Sequence, residues 1–291
     1  MKIAIHGKKF GAEISDFIQH VFSEIHKLGW EVIVSEKYLP VLSKNNIRHE
    51  SSATYPVRHL PEDVDMVFSI GGDGTLLESV THVGRYEFPI LGINTGRLGF
   101  LSTTAREDFD NALAMVRDEA YSYDMRTLLE LDTPGHVFEG LNYAMNDVAI
   151  LKKDTTSMIT VHASINGEFL NSYWADGIII STPTGSTGYS ISCGGPVIVP
   201  GSHIFAITPV SPHNLTVRPM VVPDDSVLTF TIEGRSKNFL VSLDSRYESV
   251  DDSVKLTIKK ADFRAKLVKL KGYSYFKTLR QKLNWGLDAR N

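Results

Sequence analysis

Apolar residues along the first 120 residues follow patterns that alternate between strands and helices. Buried strands are predicted where short β-branched runs occur, at Lys2–His6, Glu31–Ser35, Val64–Ile70 and Pro89–Asn94. Helical spacing begins at Ile14 and stops at Gly29, and Thr75–Val83 predicts a second helix. The segment Thr104–Glu107 (TARE) matches a capping box before a further amphipathic helix. This alternation predicts a parallel sheet with helices on its faces.

The pattern changes after about Tyr123, where short runs rich in β-branched and aromatic residues begin. These runs predict strands at Leu128–Leu131, Asp147–Leu151, Ile159–Ile165, Gly177–Ser181, Val227–Ile232, Phe239–Leu243 and Val254–Ile258. The pair Asn166-Gly167 is typical of a tight hairpin turn. The basic segment Tyr275–Trp285 predicts a terminal helix or turn. The fold class that follows is an α/β half and then an antiparallel all-β half.

Composition narrows the class of protein. The 291 residues, 42% hydrophobic and 22% charged, are typical of a globular protein with room for two domains. A formal net charge of −4 argues against a nucleic-acid-binding or membrane-binding surface. No segment approaches the roughly 20 apolar residues of a membrane span. The single cysteine, Cys193, excludes an intramolecular disulfide, which fits a reducing compartment and also many secreted enzymes. The segment Met1–Gly7 lacks the long apolar core of a signal peptide, so we expect a cytoplasmic protein.

The first candidate for chemistry is the loop Gly71–Thr75 (GGDGT), which follows the predicted strand Val64–Ile70. Ligands of open α/β sheets bind beyond the carboxyl ends of the strands. Glycines let backbone N–H groups approach a polyphosphate, and a following helix adds a favourable dipole. In a phosphotransferase, Asp73 would accept the proton of the attacking hydroxyl. The alternative is a tight turn in which Asp73 caps the helix. The loop matches neither a Walker A site nor Gly-x-Gly-x-x-Gly.

Three further stretches offer ligand-binding groups. Asn94–Phe100 (NTGRLGF) follows the next strand and either joins the same extended ligand or forms a turn in which Leu98 and Phe100 plug a domain interface. Asp176 precedes the loop Ser181–Ser190 (STPTGSTGYS), whose hydroxyls and glycines suit a ribose and phosphates and whose Tyr189 could stack. Asn146-Asp147 suits an adenine edge and a ribose diol, or is an Asx motif at a strand entry.

Taken together, these stretches resemble the NAD kinase family, which phosphorylates the adenosine-ribose 2′-hydroxyl of NAD. The matching segments are Gly71–Thr75, Asn94–Phe100, Asn146-Asp147, Asp176-Gly177, Ser181–Tyr189, Gly194–Pro196 and Pro212–Pro219 (PHNLTVRP). The resemblance implies a Rossmann-like α/β domain over residues 1–123 and an antiparallel β-sandwich-like domain over 124–270. It further implies a tail, 271–291, packing back on the first domain, and a nucleotide site in the cleft between the domains.

The resemblance also implies roles for individual residues. Asp73 is the expected proton acceptor, and Gly71, Gly72, Gly74 and Thr75 are the expected phosphate contacts. The expected NAD contacts are Asp73, Gly74, Phe100, Asn146, Asp147, Trp174, Asp176, Thr184, Thr187, Gly188, Tyr189, Ser190, Ile191 and Ser192, with Ser211 and Arg246 as further candidates. The substrates are ATP and NAD, and the divalent cation, Mg²⁺, is held mainly by ATP phosphates rather than by a set of protein ligands. Family members are usually homodimers or homotetramers, and some accept inorganic polyphosphate.

Some features depart from the family pattern or leave alternatives open. The family commonly has Asn-Glu at Asn146-Asp147, a basic residue in bacterial members at Trp174, and Gln at Arg246. Trp174 therefore either stacks on the nucleotide or packs. The GGDGT motif alone also fits a diacylglycerol- or sphingosine-type lipid kinase, and a nucleotide sensor without activity is a third class, against which the retained Asp73 argues. The ten histidines show no metal-binding spacing and are interpreted as scattered surface or core residues.

Overall fold

The computed structural model describes residues 1–97, 99–135, 137–154 and 157–286. Its strands are β1 (Lys2–Gly7), β2 (Glu31–Ser35), β3 (Ala53–Tyr55), β4 (Met66–Ile70), β5 (Ile90–Asn94), β6 (Thr104–Ala105), β7 (Tyr121–Asp132), β8 (Tyr143–Ala144), β9 (Asp147–Lys152), β10 (Ile159–Ile165), β11 (Glu168–Ala175), β12 (Gly177–Ser181), β13 (Ile204–Val210), β14 (Met220–Pro223), β15 (Leu228–Glu233), β16 (Asn238–Leu243), β17 (Arg246–Asp251) and β18 (Leu256–Leu270). Its α-helices are α1 (Ala12–Lys27), α2 (Leu39–Lys44), α3 (Asp73–Val83), α4 (Phe109–Arg117), α5 (Tyr189–Ser192) and α6 (Tyr275–Leu283).

The chain divides into two compact units. Unit 1 is Met1–Met125 with Ala265–Asn291, and unit 2 is Arg126–Arg264. The domain boundaries implied by the family resemblance, including the tail at 271–291, stay predictions. In the described part of the chain, no helix is long and apolar enough to cross a membrane.

Unit 1 contains a parallel sheet in the order β3-β2-β1-β4-β5. Strands β4 and β5 are buried along their whole length, as expected for continuous apolar runs in a sheet that is covered on both faces. Helix α1 buries one stripe that runs from Ile14 to Ile25 at helical spacing. Gly29 follows the helix at φ +67°, where glycine is favoured, so the predicted helix stop is confirmed.

The predicted capping box at Thr104–Glu107 is wrong. Thr104 lies in β6, where it pairs with Ile93 of the parallel strand β5. A 3₁₀ turn follows, and α4 begins only at Phe109, with no capping hydrogen bond from the Asp108 side chain. Thr104 therefore lies five residues before the first residue of α4, too far to cap that helix.

Unit 2 contains an antiparallel sheet in the order β14-β13-β12-β9-β16-β17 and a second antiparallel arrangement, β11-β10-β15-β18. Apolar side chains of both sheets, among them Ile150 and Ile178 from the first and Val161 and Phe230 from the second, form one core. The predicted β-sandwich-like fold is confirmed. Asn166 and Gly167 have φ values of +51° and +84°, as the predicted hairpin turn between β10 and β11 requires.

Candidate active site

The carboxylate of Asp73 is held at the carboxyl end of β4 by backbone donors of another loop. Its Oδ2 accepts a hydrogen bond from Phe100 N at 2.8 Å, and its Oδ1 accepts from Leu101 N at 3.0 Å and Ser102 N at 2.9 Å. Helix α3 begins at Asp73, two residues earlier than predicted, and its N-cap residue is Gly72. The alternative in which the Asp73 side chain caps its own helix is therefore wrong.

Two glycine-rich loops meet at this carboxylate, as their positions after neighbouring strands predicted. Ser102 Oγ donates to the carbonyl oxygen of Gly71 at 3.1 Å. A methyl group on Gly99 would lie 1.8 Å from Asp73 Oδ1, so the chain can pass the carboxylate only as glycine. Phe100 is half-buried, and Leu98 lies outside the described residues, so its predicted plugging role stays a prediction.

The three glycines of the GGDGT loop differ in what requires them. Gly71 has φ +152°, and a methyl group there would lie 2.2 Å from Thr75 Oγ1, so the turn itself requires glycine. Among the residues that the structure describes, a methyl group on Gly72 would meet nothing within 4 Å, and one on Gly74 would meet only Lys8 Nζ at 3.9 Å. The packing of the protein therefore leaves Gly72 and Gly74 open, as backbone that receives a phosphate must be.

Sequence reasoning missed Lys8 beside this loop. Its Nζ donates to the carbonyl oxygen of Gly74 at 3.0 Å and lies 3.2 Å from a carboxylate oxygen of Glu78. Lys8 follows the carboxyl end of β1, the strand that pairs with β4. The rule that strand ends of a parallel sheet share one edge could have found it.

In unit 2, Asn146 and Asp147 are held by a second carboxylate, that of Asp244, which sequence reasoning also missed. Asp244 accepts hydrogen bonds from the backbone N–H groups of Met145 at 3.0 Å, Asn146 at 2.7 Å and Asp147 at 3.3 Å. Asp244 lies in the turn between β16 and β17 at φ +54°. Its only signal in the sequence is its place directly after the predicted strand Phe239–Leu243, two residues before the candidate Arg246.

The side chain of Asp147 is only 6% exposed. Burial raises the pKa of this carboxyl from 3.8 to about 7, and the nearby charge of Asp244 adds to the effect. Asp147 therefore changes its charge near neutral pH. A hydroxyl donor from a ligand would favour the ionised form, since that form accepts hydrogen bonds.

The loop Ser181–Ser190 folds against Asn146-Asp147, as its proposed part in one site requires. Thr182 Oγ1 donates to Met145 O at 2.5 Å and accepts from Gly185 N at 3.1 Å. A methyl group on Gly185 would lie 2.0 Å from Asn146 O, and one on Gly188 would lie 3.8 Å from both Asn146 Nδ2 and Asp147 Oδ2. These glycines bring the loop against the buried acid and amide.

The predicted NAD contacts between Thr184 and Ser192 fall into two groups, one buried and one at least partly exposed. Thr184 is buried and its Oγ1 accepts a hydrogen bond from Arg126 Nη1 at 3.1 Å. Ser190 is fully buried against Thr208, with 2.9 Å between their hydroxyl oxygens. Those that reach the surface of the unit in whole or in part are Thr187, Gly188, Tyr189, Ile191 and Ser192. Thr184 and Ser190 therefore shape the loop from inside.

The four remaining candidates of unit 2 each lie in a different setting. Asp176 pairs with Lys152, with 2.6 Å between Oδ1 and Nζ. Trp174 is 49% exposed and packs against the His213 ring at a centroid distance of 4.4 Å. Ser211 is exposed at φ +45°. The guanidinium of Arg246 donates to the carbonyl oxygens of Leu141 and Tyr143, so it anchors that segment.

Two of the histidines, interpreted from the sequence as scattered surface or core residues, are core residues but lie together rather than scattered. One ligand atom each from His6, Glu78 and His82 lie within 4.8 Å of one another. Glu78 and His82 are four residues apart in α3, a spacing that places both on one helix face and was readable in the sequence. Burial lowers the pKa of His82 to about 3, so this imidazole is neutral.

Comparison with known proteins gives matches to one family. The ATP-NAD kinase N-terminal domain family matches residues 13–121, and the ATP-NAD kinase C-terminal domain family matches residues 145–270. An NAD kinase of Cytophaga hutchinsonii is 51% identical over the full length of both chains. One of Bacteroides fragilis is 43% identical, again over the full length of both.

Solved structures give the same result for the fold. An NAD kinase from Archaeoglobus fulgidus in complex with ATP superposes with a TM-score of 0.76 at 28% identity, covering 98% of this chain and 99% of that chain. A yeast NADH kinase complexed with NADH gives a TM-score of 0.86 at 22% identity, covering 99% of this chain and 88% of the other. The second likeness concerns the fold alone.

Proposed function

Since this chain belongs to the NAD kinase family, we propose how its own residues carry out NAD phosphorylation. The enzyme transfers the γ-phosphoryl group of ATP to the 2′-hydroxyl of the adenosine ribose of NAD and releases NADP and ADP. An O–P bond forms at the ribose while the bond between the β-phosphate bridging oxygen and the γ-phosphorus breaks. The hydroxyl proton must leave during this transfer.

Asp73 is the proposed acceptor of that proton. The observation that supports this role is the carboxylate held by three backbone N–H groups at a strand end, between backbone at Gly72 and Gly74 that packing leaves open. Oδ2 accepts one of these hydrogen bonds and so keeps a lone pair for the ribose hydroxyl. Fixed in this way, the carboxylate needs no reorganisation before it acts.

The open backbone at Gly72 and Gly74 is proposed to bind phosphates of ATP, with the N-terminus of α3 contributing its dipole. Lys8, which lies at the same edge, would supply a positive charge. The divalent cation, Mg²⁺ in this proposal, would be held mainly by ATP phosphates and would offset charge on the transferring group. Carboxylate oxygen, the donor that Mg²⁺ prefers, is available here at Asp73.

Unit 2 is proposed to bind NAD. Asn146 and Asp147 would contact the adenine edge and a ribose diol, and Asp176 a further ribose hydroxyl. The supporting observation is the rigid backbone of Asn146-Asp147, which Asp244 holds on one side and the Ser181–Ser190 loop on the other. The prediction that both units contribute to one nucleotide site stays a prediction.

The family resemblance also underlies three proposals of a different kind. We propose a cytoplasmic enzyme that is a homodimer or homotetramer and binds neither nucleic acid nor membranes. The net charge of −4 supports the last point. Light scattering on the eluting protein in size-exclusion chromatography tests the oligomer. The relatives give no support to the lipid-kinase alternative.

One assay tests the proposed reaction against that alternative. The purified chain is incubated with ATP, Mg²⁺ and either NAD or diacylglycerol, and the products are separated by chromatography. We expect ATP-dependent NADP and no phosphatidic acid. Phosphatidic acid without NADP would overturn the proposal, and nucleotide binding without any product would indicate a nucleotide sensor.

A further inference from the structure

His6, Glu78 and His82, here called the His-Glu-His cluster, lie together in the interior of unit 1. His6 is in β1, the strand that pairs with β4, and the other two are in α3, the helix that follows β4. His82 is fully buried, His6 is 1% exposed, and the Glu78 side chain is 22% exposed. The cluster therefore links the first strand to the helix that begins at Asp73.

Three of the four ring nitrogens of the two histidines have no hydrogen-bond partner among the described residues. Within residues 1–97, 99–135, 137–154 and 157–286, neither ring nitrogen of His82 has a partner, and His6 Nε2 has none either. Buried polar groups without partners cost free energy and are rare in folded proteins. An ion bound there would give a partner to His6 Nε2 and to one of the two His82 nitrogens.

The second nitrogen of His6 is positioned as in a metal-binding histidine. His6 Nδ1 lies 2.8 Å from Ser35 Oγ. In the tautomer that carries its proton on Nδ1, this N–H donates to Ser35 and the lone pair of Nε2 is available to an ion. Metal-bound histidines commonly donate their other N–H to a fixed oxygen in this way. The ring of Tyr55 packs edge-on against His82 at 5.8 Å and closes one side of the cluster.

We propose that the His-Glu-His cluster binds one Zn²⁺ through His6 Nε2, a Glu78 carboxylate oxygen and a ring nitrogen of His82. These ligand atoms already lie within 4.8 Å of one another, and His6 Nε2 is 3.7 Å from Glu78 Oε2. With Zn–N and Zn–O bonds of about 2.0–2.2 Å, tetrahedral ligands lie roughly 3.4 Å apart, so small side-chain shifts complete the site. A fourth position remains for water.

The donor set separates this ion from the cation that accompanies ATP. Two imidazole nitrogens and one carboxylate suit Zn²⁺, whereas Mg²⁺ prefers oxygen ligands only. Lys8 and Lys37 each lie within 3.2 Å of a Glu78 oxygen. Zn²⁺ binding at Oε2 would compete with Lys8 for that oxygen, and Lys37 would keep its contact with Oε1.

Zinc binding by the full-length protein tests the proposal. The protein is stripped with a chelator, dialysed, and titrated with Zn²⁺ in competition with a chromogenic chelator, and Co²⁺ is added separately to record its visible spectrum. We expect one Zn²⁺ per chain, an intense Co²⁺ absorption typical of a tetrahedral site, and a Tm that rises with Zn²⁺ but not with equal Mg²⁺. No stoichiometric binding in the wild type would overturn the proposal.

Variants locate the site. His82→Phe keeps a buried flat ring and removes both nitrogens, and Glu78→Gln keeps the shape of a partly exposed side chain, so at least one of the two is expected to fold. Each should weaken Zn²⁺ at least about a hundredfold, since even ligand-supporting residues change affinity by about 10–100-fold. His20→Gln is the matched control, because His20 pairs with Asp110 and Glu24 at an exposed position. Unchanged Zn²⁺ affinity in a folded His82→Phe or Glu78→Gln variant, or loss only in His20→Gln, would overturn the assignment.

Discussion

The Asp73 carboxylate has two proposed roles: it accepts the ribose proton, and it holds the loop at Phe100–Ser102. Replacing it by asparagine removes the first role and keeps most of the second. The amide oxygen can keep the hydrogen bonds from Leu101 and Ser102, whereas the amide nitrogen then faces the N–H of Phe100 and cannot accept from it. A lost hydrogen bond to a charged group costs about 1.5–3 kcal/mol. Asp73→Asn should therefore unfold at a lower temperature and also lose its base.

The loss of activity should exceed what the lost hydrogen bond explains. General-base catalysis contributes ~10²–10⁴-fold in rate, so we expect kcat to fall at least about a hundredfold. The assay measures initial NADP formation at saturating ATP and NAD, at a temperature where circular dichroism shows the variant folded. Calorimetric titration with NAD should show little change in affinity, because the loss lies in the chemical step.

Ser102→Ala is the matched control for the loop. It deletes the hydrogen bond from Ser102 Oγ to Gly71 O but keeps the Ser102 N–H on the Asp73 carboxylate. A neutral hydrogen bond contributes about 0.5–1.5 kcal/mol, so stability should fall modestly and kcat by no more than about tenfold. Near-normal kcat in Asp73→Asn, or an equal loss in Ser102→Ala, would refute Asp73 as the proton acceptor.

Four further predictions concern Asp147, Gly72 and Gly99. Because burial raises the Asp147 pKa to about 7, the KM for NAD should rise as pH falls below 7, and Asp147→Asn should show a higher KM that no longer varies there. The raised pKa also means that the folded state binds more protons than the unfolded state between the unfolded value of 3.8 and about 7. Urea titrations should therefore show the stability of the wild type, measured relative to Asp147→Asn, falling as pH rises through that window. The methyl group of Gly72→Ala would meet no atom of the described residues within 4 Å, so the variant should fold normally and raise the KM for ATP but not for NAD; an unchanged KM for ATP would contradict phosphate binding there. Gly99→Ala places a methyl group 1.8 Å from Asp73 Oδ1, and a displaced base should lower kcat by roughly a hundredfold, which steady-state kinetics would detect.

The sequence by itself determined the elements that depend on local pattern. A continuous apolar run followed by glycines is enough to predict β4 and the loop at its carboxyl end, because strand burial and glycine conformation are local properties. The same reasoning found Asn166-Gly167, whose left-handed conformations the hairpin requires. It failed at Thr104, which belongs to a strand paired with β5 and lies five residues before α4 begins.

The tertiary structure alone decided which groups form hydrogen bonds to the residues of the candidate site. Asp73 is fixed by N–H groups 27 to 29 residues away, and Asn146 by a carboxylate 98 residues away. The pKa of Asp147 depends on the burial that the β-sandwich creates, and His6 meets Glu78 only because β1 pairs with β4. Periodicity reports which face of an element is buried, whereas hydrogen bonds and local charge depend on which elements become neighbours, and that is determined only when the chain folds.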